Sequence, residues 1–207
     1  MLNRFYEDFA LKIITPERAK KLLDAMGYDY THWTRPVMYS ECLRLLQPLN
    51  ISSMDAMEIS AGQFWQKAGF KSFTEKNFPE FDICKDVLDQ QFDIIIADQV
   101  FEHLPWPYRA AKNIYSMVKP GGYFLITTPF MIRVHDIPID CTRWTETGIK
   151  YFLAECGFPL DKITTGSWGN RACVKANFKR WARRGWFGSL KNERNFPVSV
   201  WALARKD

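Results

Sequence analysis

The sequence contains no run approaching the roughly 18 consecutive apolar residues of a membrane-spanning helix, although 47% of its 207 residues are hydrophobic. Its first dozen residues carry acids where a secretory leader would carry a basic flank and an apolar centre. A soluble, cytoplasmic protein is therefore expected. Cysteine is sparse and odd in number: Cys42, Cys84, Cys141, Cys156 and Cys173 form no C-x-x-C pair and no Cys/His cluster. That spacing argues against a disulfide framework or a zinc site, and no metal is expected. Internal repeats and low-complexity tracts are missing. So is the G-x-G-x-x-G fingerprint, which weakens the case for a nicotinamide-dependent oxidoreductase.

What is present fits one substantial core with appendages. The net charge of +5 is unevenly spread: residues 171–207 hold ten Lys and Arg against two Asp and Glu, whereas residues 1–170 are slightly acidic. Pro16 to Met26 reads as a short helix with Thr15 as its N-cap and Gly27 beyond its end. A second helix is expected from about Val37 to Leu46, after an aromatic stretch whose Tyr28, Tyr30 and Trp33 are read as packing residues. Together, residues 1–50 form an expected helical cap.

Two buried-looking runs organise the remainder. Met54 to Gly62 and Phe92 to Leu104 each pass from continuous apolar residues to polar or small ones, as parallel strands do where they meet a ligand. Asp98 and Gln99 stand at the end of the second run, so they are positional candidates for ligand contact. Further strands are expected at Lys71–Glu75, Tyr123–Thr127, Lys162–Ser167 and Val198–Ala204. Helices are expected at Ala110–Val118, Thr145–Cys156 and Asn170 to about Arg183. Between Thr128 and Thr145 the chain is dense in polar groups, with His135, Asp136, Asp140 and Arg143 around Pro138, and so long a polar loop is more often functional than filler.

The order Glu58-Ile-Ser60-Ala-Gly62-Gln-Phe64, then Phe92-Asp93, Glu102-His103-Leu104 and Lys119-Pro120-Gly121-Gly122, resembles the class I S-adenosylmethionine-dependent methyltransferases over roughly residues 50–160. The resemblance implies a Rossmann-like, doubly wound α/β sheet over residues 51–207, mostly parallel with an antiparallel last strand. It also implies S-adenosyl-L-methionine as cofactor. In the family pattern E/D-x-G-x-G-x-G, this chain keeps the acid and the middle glycine and has Ser60 and Phe64 in place of the outer two. Carried over residue by residue, cofactor contacts are expected at Glu58, Ser60, Gly62, Glu75 or Asn77 for the ribose, Asp82 for the adenine, and Asp98 and Gln99. Asp93 and His103 are read as loop anchors and Glu102 as a cap of the following helix.

The resemblance implies methyl transfer to an oxygen or nitrogen of a small-molecule or glycan-like acceptor. A binding module of the same fold with an eroded cofactor turn is the alternative. Similar family members carry H-x-x-P-x-D-x-x-R, matched here by His135, Pro138, Asp140 and Arg143. His135 is the expected general base, Asp140 its orienter or the acceptor's, and Arg143 the group that fixes the loop or an acceptor anion. Residues 170–187 are expected to form a basic amphipathic helix inserted near the C-terminus, one face carrying Val174, Phe178 and Trp181 and the next Lys175, Lys179 and Arg183. Such an element suits an anionic acceptor or a peripheral membrane contact, with nucleic acid less favoured. Nothing in the sequence reports the oligomeric state.

Overall fold

The computed structural model describes residues 16–178 and 181–207. The Thr15 cap and Lys179 lie outside the described residues. Helices α1 (Pro16–Ala25) and α2 (Arg35–Leu46) precede β1 (Asp55–Ile59) and β2 (Ser72–Lys76). Then follow β3 (Phe92–Asp98), α3 (Pro107–Met117), β4 (Val118–Pro129), α4 (Glu146–Glu155), β5 (Ile163–Trp168), α5 (Arg171–Asn177) and β6 (Ser199–Arg205). The strands form one sheet in the order β2-β1-β3-β4-β6-β5. The pairs β1–β2, β1–β3 and β3–β4 are parallel, and β6 runs antiparallel to both β4 and β5.

A period of two in the strands divides the core into two layers. On one face Ile95, Phe124, Ile126 and Ala202 pack with Ala110, Ile114, Phe152 and Leu153 of α3 and α4. On the other, Ile94, Ile96, Leu125 and Trp201 pack with Met38, Cys42 and Leu46 of α2 and with Cys173 and Val174 of α5. The central strands are covered on both sides, which is why they read as continuous apolar runs. Because α2 supplies one of the two covering layers, the expected cap is part of the main core on that side.

The Lys-Pro-Gly-Gly stretch does not simply end a helix. Phe92 pairs with Val118 and Ile94 with Tyr123, so Lys119–Gly122 is looped out of the ladder. Gly121 takes φ +77°, and a Cβ on Gly122 would come within 2.9 Å of the Asp93 carbonyl oxygen. Lys119 Nζ reaches Asp93 at 2.9 Å, and Asp93 also accepts from the Asp55 N–H at 2.8 Å. Asp93 thus joins two strand starts and this loop.

The expected helix from Asn170 to Arg183 is a correction: α5 ends at Asn177. Asn170 caps its start by accepting from the Cys173 N–H at 2.9 Å. Asn177, buried, donates back to the Cys173 carbonyl and accepts from the Ala182 N–H at 3.1 Å. That pair of bonds ends the helix and turns the chain. Residues 182–185 then run along residues 29–33, with Trp33 N–H to Ala182 O at 3.0 Å, Arg184 N–H to Thr31 O at 3.0 Å and an antiparallel bridge between His32 and Arg183. Val174 is buried while Phe178 and Trp181 are 60% and 41% exposed, so the three do not share one packed face. No helix among the described residues is long and apolar enough to cross a membrane.

Candidate functional site

At the carboxyl end of β1 the chain turns through Ser60, which takes φ +54° and donates its N–H to the Lys76 carbonyl at 2.8 Å. The left-handed residue of the turn is therefore the serine standing where the family has its first glycine. Gly62 needs no positive φ, and no atom lies within 4 Å of where its Cβ would be. Asn77 braces the turn by accepting from the Ala61 N–H at 2.8 Å. Left-handed backbone costs a residue with a Cβ about 1–2 kcal/mol, partly offset by the larger unfolded-state entropy of glycine. Ser60→Gly is expected to raise stability by up to about 1 kcal/mol in thermal melts, and a drop of similar size would contradict this reading of the turn.

Phe64, at the family's third glycine position, stacks on Tyr39 of α2 with ring centroids 3.7 Å apart and planes 9° from parallel. The substitution has a partner, since α2 lies over the strand ends and Phe64 packs against it. From the same helix Arg35 and Tyr39 reach Asp98 at 2.9 and 2.8 Å, and Thr127 donates its hydroxyl to the same carboxylate at 2.5 Å. Asp98 is thus engaged by three donors and pins α2 to the ends of β3 and β4. Gln99, at φ +60°, donates its side-chain amide to the Thr127 hydroxyl at 3.1 Å.

Glu58 is 1% exposed and one of its carboxylate oxygens has no partner. Burial pushes its carboxyl up to about 7; the Gly62 N–H opposes this, and the charges of Asp98 and Glu75 add to it. Glu75 faces it across the β1–β2 register. A folded-state value above the ordinary 4.5 means that folding stability is full below about pH 4.5 and falls as pH rises through about 7. That loss is expected to approach about 3 kcal/mol in the ligand-free protein. Melting temperatures from pH 5 to 8 should show a steeper slope in wild type than in Glu58→Gln, where the slope that remains comes from Glu102, raised to about 8. An equal slope in both would contradict the assignment.

Asp82 stands in the loop between β2 and β3. Its carboxylate pairs with Lys85 at 2.9 Å and accepts from the Cys84 N–H at 3.0 Å. The Lys85 contact outweighs desolvation and holds the carboxyl below its ordinary value.

A second group of candidates gathers beyond β4. His135, Asp140 and Arg143 are close together, but Asp140 accepts from the backbone N–H of His135 at 2.8 Å and not from its ring. The guanidinium of Arg143 grips both oxygens of Asp140, so each is committed to shaping the loop. Burial, followed by the charge of His103, lowers the His135 imidazole below its ordinary value, so it is neutral near pH 7; its Nε2 is buried without a partner.

Four residues beyond the sequence candidates, His32, Glu102, His103 and Trp181, join this pocket. All three histidines of the chain, His32, His103 and His135, line one cavity of about 430 Å³ with Gln99, Glu102 and Trp181. Trp181 lies between His32 and His135, with ring centroids 5.0 and 4.9 Å away. Burial, with the charges of Arg35 and Arg183, drops the His32 imidazole to about 4. Glu102 does not cap a helix, because α3 starts only at Pro107; it is 1% exposed, and burial pushes its carboxyl up to about 8. No local sequence signal identifies His32 or Trp181, because their place depends on the pairing of residues 29–33 with 182–185. A broader open groove of about 1080 Å³ runs along α4, β5 and residues 190–197, but contains no histidine.

Residues 2–155 match the family described as Methyltransferase domain. The chain belongs to the S-adenosylmethionine-dependent methyltransferases. The cofactor of these methyltransferases is S-adenosyl-L-methionine. A crystallised S-adenosylmethionine-dependent methyltransferase of Mesorhizobium loti shares the fold, with TM-score 0.56 and 16% identity, over 80% of this chain and 96% of that one. Another, from Archaeoglobus fulgidus, aligns with TM-score 0.54 and 14% identity over 82% and 93%. A ubiquinone biosynthesis O-methyltransferase of Coxiella burnetii is 29% identical over 84 residues, covering 28% of this chain and 36% of that relative. The match therefore spans about a third of the length of the curated relatives.

Proposed function

We propose that this methyltransferase moves the methyl group of S-adenosyl-L-methionine to an oxygen or nitrogen of a small-molecule or glycan-like acceptor held in the histidine-lined pocket. The observation that carries the reading is the set of buried, unpartnered polar atoms. Glu58 Oε2, Thr128 Oγ1, Glu102 Oε2, His32 Nε2 and His135 Nε2 are five of the six buried side-chain atoms without a hydrogen-bond partner among the described residues, the sixth being Trp65 Nε1. Buried polar groups are seldom left unpaired, and such a set at strand ends and in an adjoining cavity is what a ligand-free site leaves behind. Cofactor contacts are assigned to Glu58, Ser60, Gly62, Glu75, Asn77 and Gln99, with Asp98 positioning α2. His135 Nε2 takes the acceptor's proton, while Asp140 and Arg143 hold the loop that carries it. In-line alignment of sulfonium and acceptor supplies most of the acceleration.

The alternative, a binding module without catalysis, has its main support in the substituted glycine turn, and the Tyr39–Phe64 stack gives that substitution a packing reason. Incubation with methyl-labelled cofactor and fractionated small-molecule or glycan extracts is the test. Label should enter an acceptor with wild type and more slowly with Gly62→Val at the same subsaturating cofactor concentration; no transfer to any fraction, with cofactor bound, would favour the module.

The pocket mouth supports a membrane-borne acceptor. Ile137 and Trp181 line the cavity and are 87% and 41% exposed, and Phe178 and Phe187, 60% and 66% exposed, lie in the same basic segment as Trp181. Apolar side chains among cations suit an anionic headgroup layer. Sedimentation with phosphatidylserine vesicles is expected at low salt and should weaken as salt rises, because exposed charges are screened over about 10 Å at 0.1 M. No sedimentation at low salt would remove the membrane from the account.

A further inference from the structure

We propose that Glu102, His103 and His135 form a binding site for a first-row divalent cation, zinc, manganese, iron or cobalt, facing the acceptor pocket. The proposal deepens the reading of that pocket as the acceptor site. One ligand atom from each residue can be chosen so that all three lie within 4.8 Å of one another. Metal–nitrogen and metal–oxygen bonds of about 2.0–2.2 Å bring such a set to roughly 3.0–3.5 Å apart, which asks for a closure of up to roughly 1.3–1.8 Å from the 4.8 Å limit.

The three atoms are all electron-pair donors. His103 presents Nδ1 to the carbonyl of Ile139, which can only accept, so that nitrogen carries the proton and Nε2 holds the lone pair. This is how a ligating histidine is usually oriented, by a hydrogen bond from its other ring nitrogen. His103 Nε2 stands 3.8 Å from Glu102 Oε1. His135 Nε2 and Glu102 Oε2 are buried and have no partner at all, and Glu102 is 1% exposed. Burial keeps a proton on Glu102 near pH 7, and a cation would displace that proton on binding, which leaves one ligand atom from each of the three residues within reach of it.

The nearby positive charges do not answer this demand. Arg143 is held by Asp140, and Arg35 by Asp98. Two imidazoles and one carboxylate favour a first-row transition ion over magnesium or calcium, which prefer oxygen ligands throughout. With three protein ligands, the positions left open face the cavity, where an acceptor hydroxyl or carboxylate can complete the coordination. With a cation bound, His135 Nε2 is committed to it and no longer takes the acceptor's proton directly; the cation would lower the pKa of a coordinated acceptor hydroxyl, whose proton would pass to water in the cavity. Cys141 is the exposed thiol of the chain, and its backbone N–H donates to the Glu102 carbonyl at 2.7 Å, so it must be separated from the site experimentally.

The experiment is equilibrium dialysis of the intact, chelator-treated protein against zinc or cobalt, with S-adenosylhomocysteine binding measured in parallel. One equivalent per chain is expected in wild type and in Cys141→Ser. Affinity should fall by at least about 10-fold in Glu102→Gln and in His135→Asn, since even an outer partner of a metal site is worth about 10–100-fold. The visible spectrum of the cobalt-loaded wild type should show nitrogen and oxygen ligation without a thiolate band, a readout that does not depend on any variant folding. Lack of saturable uptake, a thiolate band, or uptake undiminished in both folded variants would overturn the cation site. If S-adenosylhomocysteine still binds and methyl transfer persists in chelator, the proposed methyl transfer stands while the cation site alone falls.

Discussion

Replacing His135 with asparagine is expected to lower the turnover number by about 10²–10⁴-fold, the usual worth of a positioned proton acceptor. Affinity for S-adenosylhomocysteine should stay near wild type, because His135 lines the acceptor pocket and not the turn after β1. Asparagine keeps the backbone N–H that Asp140 accepts at 2.8 Å, so the loop retains its principal tie. What is lost is Nε2, the buried unpartnered nitrogen that meets the acceptor directly or through a bound cation. Steady-state kinetics with an identified acceptor would check this. A turnover number close to wild type would leave His135 as a wall of the pocket and nothing more.

Gly62→Val is expected to weaken S-adenosylhomocysteine binding by about 10- to 100-fold while leaving the melting temperature unchanged. No protein atom lies within 4 Å of a Cβ at Gly62, and its backbone does not need a positive φ, so the ligand-free fold accommodates valine without strain. The added methyl groups enter the open space that the cofactor is proposed to fill. Overpacking a fitted site costs about 1–3 kcal/mol, which is the stated range in affinity. Calorimetry beside a thermal melt separates the two quantities. Undiminished affinity would mean that the cofactor does not pass over Gly62.

Local rules were enough for much of this fold. The apolar runs of β1, β3 and β4 announced strands covered on both faces, and α4 lies between a capping Thr145, which accepts from the Gly148 N–H, and Gly157 at φ +117°. The antiparallel last strand also came out as the family outline implies. The end of α5 was hidden because amphipathic spacing continues past Asn177. A buried asparagine that turns the chain looks in sequence like any polar residue on the solvent side. The function of Phe64 was equally hidden, since its partner Tyr39 lies on a helix 25 positions earlier in the chain.

The candidate site divides along the same line. Glu58, Ser60, Gly62, Glu75 and Asn77 lie within two strand ends and a turn, where Glu58 faces Glu75 across the β1–β2 register and Asn77 accepts from the Ala61 N–H. His32 and Trp181 enter the acceptor pocket only because residues 182–185 fold back along residues 29–33. Asp140 and Arg143 were visible as a polar loop, but which atom of His135 Asp140 would hold depends on a turn geometry that spacing does not encode. Glu102 illustrates the same limit, since a carboxylate before a helix reads as a cap until its burial is known.

Calorimetric titration of the wild-type protein with S-adenosylhomocysteine tests the central claim most directly, because every role assigned to the strand ends assumes that they receive this cofactor. Saturable heat with one site per chain, abolished or strongly weakened in Gly62→Val, is the expected result. A folded wild-type protein giving no saturable heat would contradict the account and leave a methyltransferase fold without its cofactor.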